Sequence, residues 1–161
     1  MADEALDKAL NTLCDKHVRI TPQRKLILNY LITHHNHPAV EVIYQELAPQ
    51  MSSLSLATIY NTLNLFVEMG IVIEIPNENG GIRYDFFGSP HYHAICENCG
   101  KVTDIFDPNF PKIEEMIQTE AARQSGYKIT SSHIEVYGLC DECQAKLAAQ
   151  KPDGAAAEAH V

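Results

Sequence analysis

The sequence predicts an α+β protein, with helices filling its first half and short strands carrying metal-ligating side chains in its second. Three observations predict this. Apolar residues recur at helical spacing in four successive stretches before Gly70. Two apolar runs, 71–75 and 82–86, then flank the turn-forming segment Asn77-Glu-Asn-Gly-Gly81. Finally, four of the 5 cysteines fall in two C-x-x-C pairs, Cys96/Cys99 and Cys140/Cys143. A length of 161 residues leaves room for one domain or two small ones.

Taken in order, Ala5 to Lys16 reads as a helix with Leu6, Leu10 and Leu13 on one face. Cys14, at its end, is expected to be a small buried hydrophobe. Lys16, His17 and Arg19 form a short basic patch. Thr21-Pro22 starts a second helix, Thr as N-cap and Pro in the first turn. It runs through Leu26, Ile27, Tyr30 and Leu31 to about His34, with Arg24 and Lys25 on its opening turns. His34, His35 and His37 lie in a polar loop ending at Pro38. A third helix spans 39–47 with Val40, Ile43, Tyr44 and Leu47 inward. The fourth spans 55–69, capped by Ser55 and closed by Gly70.

The fourth helix has two faces. Leu56, Ile59, Leu63 and Phe66 make the apolar stripe, and Ala57, Thr58, Asn61, Thr62 and Asn64 lie largely outside it. A solvated helix usually carries Glu and Lys on its outer face. A small, polar, nearly uncharged face suits a reader of the DNA major groove, where Ser, Thr and Asn bond base edges and Ala and Thr touch thymine methyls. Helices followed by a two-stranded hairpin make a winged helix-turn-helix, with Arg83 in the wing near the DNA backbone. The DNA-contact candidates are therefore Arg19, Arg24, Ser55, Ala57, Thr58, Asn61 and Arg83. The formal charge of -9 opposes this reading. Residues 1–83 hold 6 basic and 9 acidic side chains, and residues 84–161 hold 6 and 12, so the acidity is weighted away from the proposed reading head.

Gly88-Ser89-Pro90 is a natural hinge. Beyond it, 93–96 and 101–106 read as paired strands, 113–123 as a helix with Ile113, Met116 and Ile117 inward, and 127–137 as the third strand of a small antiparallel sheet. Such a unit has a thin core that a structural metal or dimerisation would reinforce. The expected organisation is a winged helix over 1–86, a hinge at 87–90, a small α/β dimerisation and metal-binding domain over 91–147, and a disordered tail over 148–161 in which His160 has no role.

Four thiolates in two knuckles suit a closed, tetrahedral, structural zinc site with no open position for catalysis. A thioredoxin-like redox pair would need βαβ surroundings, which the pattern lacks. Asp85, His91, His93 and Asp104 form a second set. Their nitrogen and oxygen donors suit Fe²⁺ or Mn²⁺, while the alternative is a group of core histidines satisfied by hydrogen bonds. A zinc deaminase would also combine His with C-x-x-C, but it requires H-x-E, and His91-Tyr92-His93 lacks the Glu. No apolar run of about 18 residues occurs, so no membrane span is expected. The acidic, amphipathic MADEALDKALNTL does not read as a secretory signal, which favours the cytoplasm, where paired cysteines bind metal rather than forming disulfides.

The motifs RITPQR (19–24), HPAVEVIY (37–44), LSLATIYNTL (54–63), RYDF (83–86), HYHAICENCGKVTDI (91–105) and YGLCDEC (137–143) give the chain a resemblance to the ferric uptake regulator superfamily over about residues 5–147. Within it, Asp104 is similar to the peroxide-sensing members, where iron-uptake regulators usually carry Glu. The resemblance implies one structural Zn²⁺ per subunit on Cys96, Cys99, Cys140 and Cys143, and one regulatory Fe²⁺ or Mn²⁺ on His37, Asp85, His91, His93 and Asp104. It adds His37 to the ligand set and Tyr60 as a residue that either reaches DNA or packs in the core. It implies a homodimer on a palindromic DNA operator, and no small-molecule substrate other than peroxide. Iron-catalysed oxidation of His37 or His91 would release the repressor rather than turn over a substrate, so no enzyme is expected. The competing expectation is a metal-uptake repressor responding to Fe, Mn or Zn without peroxide sensing.

Overall fold

The computed structural model describes residues 2–76 and 81–150. It separates into two compact units, Met1–His91 and Tyr92–Val161.

The first unit contains α1 (Ala2–Asp15), α2 (Pro22–Thr33), α3 (Val40–Leu47), α4 (Leu56–Glu68), β1 (Val72–Pro76) and β2 (Ile82–Phe86). The helix α2 is its centre, packing against α1, α3, α4 and β2. Its sequence explains the position: Ile27, Leu28, Tyr30, Leu31 and Ile32 are all buried, and a helix that is apolar nearly all round must be enclosed. Thr21 caps it by accepting the Arg24 N–H at 3.3 Å. The other helices present single faces: Leu6, Ala9 and Leu13 from α1, Val40, Ile43 and Leu47 from α3, and Ile59, Leu63 and Phe66 from α4.

Two bonds close α4. The Ile71 N–H reaches the Phe66 carbonyl at 2.9 Å and the Gly70 N–H reaches that of Val67 at 2.9 Å, with Gly70 at φ 70°. This paired closure requires a left-handed residue, which glycine takes without a Cβ clash. It turns the chain directly into β1. The hairpin pairs β1 and β2 antiparallel, with Ile73 opposite Asp85 and Ile75 opposite Arg83. The expected turn residues Asn77 to Gly80 lie outside the described residues.

The second unit contains β3 (Tyr92–Cys96), β4 (Val102–Ile105), α5 (Phe110–Ser125), β5 (Glu135–Gly138) and α6 (Asp141–Gln150). Its sheet has the order β4-β3-β5. β3 and β4 are antiparallel, but β5 runs parallel to β3, correcting the expectation of a wholly antiparallel sheet. The reason is connectivity: the chain leaves β4, passes through α5 and returns on the far edge of β3, so no hairpin dictates the direction of β5. The third strand is also shorter than its alternation suggested. Residues 126–134 have no regular structure, since the ladder to β3 begins only at Glu135. Ile113, Met116 and Ile117, expected inward, are 43%, 63% and 46% exposed. Helix α6 continues to Gln150, past the expected tail boundary at 148, and residues 151–161 lie outside the described residues.

Three further expectations fail locally in the first unit. Cys14 is exposed, because α1 turns Leu13 into the core and the next residue points away. Leu56 is 42% exposed at the first turn of α4, whereas Thr62 is buried at 4% on a face expected to be outer. The stripe is thus rotated toward Thr62.

Candidate metal centres and nucleic-acid face

Cys96 ends β3, and Cys99 follows within the turn leading to β4. Cys140 precedes α6, and Cys143 sits in its first turn. The parallel register places Cys96 opposite Gly138, which brings the second knuckle alongside the first. The four sulfurs lie within 4.8 Å of one another, and Cys99 Sγ and Cys140 Sγ are 3.7 Å apart. A disulfide would need about 2.05 Å. Tetrahedral zinc with Zn–S near 2.3 Å puts sulfurs about 3.8 Å apart, so the spacing fits the ion.

The electrostatics of the cluster agree. The Cys140 N–H, with those of Cys99 and Asn98, brings the Cys96 thiol down to about 6. Cys143 accepts a hydrogen bond from the Asn98 amide at 3.2 Å, which pulls its thiol down, but the neighbouring thiols of Cys140, Cys99 and Cys96, together with burial, push it up to about 12. Four crowded thiols resist joint ionisation, and a dication removes that resistance.

The nitrogen and oxygen ligand candidates fall in both units. In the first, His37, Asp85 and His91 are 4%, 4% and 5% exposed. His91 Nε2 is 2.8 Å from Asp85 Oδ2, and His37 Nε2 is 3.9 Å from Asp85 Oδ1. His91 Nδ1 also faces the Ser89 carbonyl at 2.8 Å. These two contacts fix the orientation of the imidazole between a carbonyl and a carboxylate, as the ring of a metal-ligating histidine is fixed. His37 lies before Pro38 with φ 45°, an uncommon backbone for a non-glycine residue that costs about 1–3 kcal/mol. Hydrogen bonds to β2 hold it: Tyr84 N–H to the Pro38 carbonyl at 3.0 Å and Arg83 Nη1 to the His37 carbonyl at 3.4 Å.

In the second unit, His93 on β3 pairs in register with Asp104 on β4, and His93 Nε2 lies 3.4 Å from Asp104 Oδ1. Of the two histidines in this stretch only His93 lies in a strand, since His91 precedes β3. Neither set contains sulfur, which suits Fe²⁺ or Mn²⁺ better than a thiophilic ion.

The α4 cap Ser55 and the helix residues Ala57 and Asn61 are exposed, and Tyr60 is 44% exposed, so its ring does not fill the core. Ser55 Oγ accepts the Thr58 N–H at 3.1 Å, giving it a cap to hold as well as a surface to present. Arg19 is exposed, and the Arg24 guanidinium donates to its carbonyl. Arg83 is half-buried. Gln23 lines a hollow of about 290 Å³ with Thr21, Arg24, Thr58, Asn61 and Thr62, where the start of α2 meets α4.

The chain is similar to known proteins in sequence and in structure. Residues 15–137 match the ferric uptake regulator family. The peroxide operon regulator of Bacillus subtilis (strain 168) is 43% identical over 146 residues, covering 91% of this chain and 98% of that protein. Among solved structures, PerR from Streptococcus pyogenes, described for peroxide sensing and gene regulation, is 40% identical with a TM-score of 0.51, covering 87% of this chain and 93% of that one. The Campylobacter jejuni peroxide stress regulator is 30% identical with a TM-score of 0.66, covering 83% and 98%.

Proposed function

The chain belongs to the ferric uptake regulator family, and from that premise we propose that it is a dimeric, cytoplasmic, metal-dependent repressor that senses hydrogen peroxide through Fe²⁺. Its family and its relatives are transcription regulators, not enzymes. The observation that carries the sensing role is the buried trio His37, Asp85 and His91, with His91 lodged between two oxygens and His37 held at a positive φ.

In this reading His37, Asp85, His91, His93 and Asp104 share one regulatory ion, taking ligands from both units. Such an ion restrains the two units together and selects one spacing of the recognition helices in a dimer. A palindromic operator requires that spacing. Arg19, Arg24, Ser55, Ala57, Thr58, Tyr60, Asn61 and Arg83 supply the DNA face. Cys96, Cys99, Cys140 and Cys143 hold a structural zinc in each subunit. Exposed Met116, Tyr127, Val136 and Tyr137 on the second unit support a second copy covering them.

Bound Fe²⁺ would supply the electron chemistry that turns peroxide into an oxidant at its own ligands, which bound Mn²⁺ does not. The protein's part is to keep His37 and His91 buried, oriented and adjacent to the carboxylate of Asp85, so that they receive the oxygen atom. An oxidised imidazole ceases to be a ligand, the restraint is lost, and the operator is released.

The test is to load the protein anaerobically with Fe²⁺ or Mn²⁺, add peroxide, and map the products by peptide mass spectrometry. One added oxygen on a peptide holding His37 or His91, in the iron form only, with loss of operator binding, supports the proposal. An iron form that stays unmodified and bound to DNA makes the protein a plain metal-uptake repressor.

A further inference from the structure

Asn98 stands between the two cysteines of the first knuckle, yet its side chain reaches the second. Its Nδ2 donates to Cys143 Sγ at 3.2 Å, across a sequence separation of 45 residues. Cys143 is 2% exposed, whereas Asn98 itself is at the surface. Among the described residues, then, the most buried thiol of the cluster receives a side-chain donor from the knuckle opposite its own. Cys96 is served by backbone, through the Cys140 N–H at 3.3 Å. A backbone donor is fixed by the fold, but the donor to Cys143 depends on which residue stands at 98.

Four thiolates around one dication leave a net charge of about -2 on the centre. A hydrogen bond to sulfur draws off part of that charge, orients the lone pairs and keeps the thiolate in place when the metal exchanges. It also weakens the sulfur as a nucleophile. In oxidation by peroxide, the thiolate lone pair attacks one peroxide oxygen, the O–O bond breaks, hydroxide leaves and a sulfenic acid forms. A second thiolate then displaces hydroxide from that sulfur to give a disulfide, and the metal loses two ligands. Slowing the first attack matters in a protein whose proposed oxidation targets are histidines.

We propose that Asn98 is a positioning residue of the thiolate centre, holding Cys143 from the opposite knuckle and slowing loss of zinc both to chelators and to peroxide. This rests on the reading of the four cysteines as a zinc site.

The experiment uses the full chain, purified as wild type, Asn98→Ala and Asn98→Asp. Zinc is quantified first, and its transfer to a chromogenic chelator is then followed with and without peroxide. Asn98→Ala is expected to release zinc about 10-fold faster in both conditions. Asn98→Asp keeps the volume, removes the donor and places a carboxylate against the thiolate, so it should release faster still. With Co²⁺ in place of zinc, both variants should shift the sulfur-to-metal charge-transfer band. Release at the wild-type rate with an unshifted band in Asn98→Asp overturns the role of Asn98 alone, even if Asn98→Ala folds poorly. Absence of zinc from the wild type overturns the thiolate-centre reading itself, and this inference with it.

Discussion

Helices α1 to α4 enclose a continuous apolar core, with Leu13, Ile27, Leu28, Ile43, Ile59, Leu63 and Phe66 wholly inaccessible. Among its described residues the second unit buries Ile95, Cys96, Phe110, Cys143 and His93, while Met116, Tyr127 and Tyr137 stand open to solvent. The first unit can be held by hydrophobic burial. The described part of the second buries too little apolar surface for that, and two of the five side chains buried there are thiols of one cluster. The comparison teaches that the halves of one chain offer different means of support: apolar packing in one, and in the other a thiol cluster whose spacing fits a metal beside apolar side chains left open.

This contrast can be broken experimentally. The largest effect should come from Cys140→Ser or from zinc removal, because a structural zinc contributes on the order of 10 kcal/mol or more to folding. The second unit should lose its ordered amide signals and the dimer, while the signals of α1 to α4 persist. A stable, zinc-free dimer would refute the assignment. Next, Leu63→Ala should destabilise the first unit by about 2–5 kcal/mol in denaturant titration with zinc content unchanged. His37→Ala should weaken Mn²⁺ binding at least about 10-fold, and metal-dependent operator binding with it, while leaving zinc and the fold intact. Full operator affinity in that variant would contradict the shared ion. The smallest effect is Ser55→Ala, where loss of the cap to Thr58 should cost about 1 kcal/mol and leave metal binding unaltered.

Much of this was legible from residue patterns. Thr21, Ser55 and Gly70 mark helix ends through chemistry that acts within a few residues, and all three sit where that chemistry places them. The cysteine pairs were legible because thiolate spacing is itself the geometry of a knuckle. What failed depends on distant partners. The direction of β5 follows from a crossover, not from its own residues. Ile113, Met116 and Ile117 are spaced like a core stripe, and spacing cannot distinguish a face buried within one chain from one left for another. Thr62 is buried because α4 is rotated by its neighbours, a tertiary effect that overrides polarity. By its own surroundings His37 is an ordinary loop histidine, and among sequence features only the family resemblance marks it as a ligand. Its positive φ and its ties to β2 mark it physically, and neither is encoded locally.

The parallel pairing of β3 with β5 has a consequence for the order of events during translation. Every residue of the first unit is made before Cys96 and Cys99, and the other half of their cluster arrives only with Cys140 and Cys143. The nascent reading head can therefore collapse on its own apolar residues while the second unit is still an open chain with two lone thiols. If the four thiols take zinc as proposed, its capture is a late step, and a shortage of the ion would leave molecules folded at the front and unfinished behind.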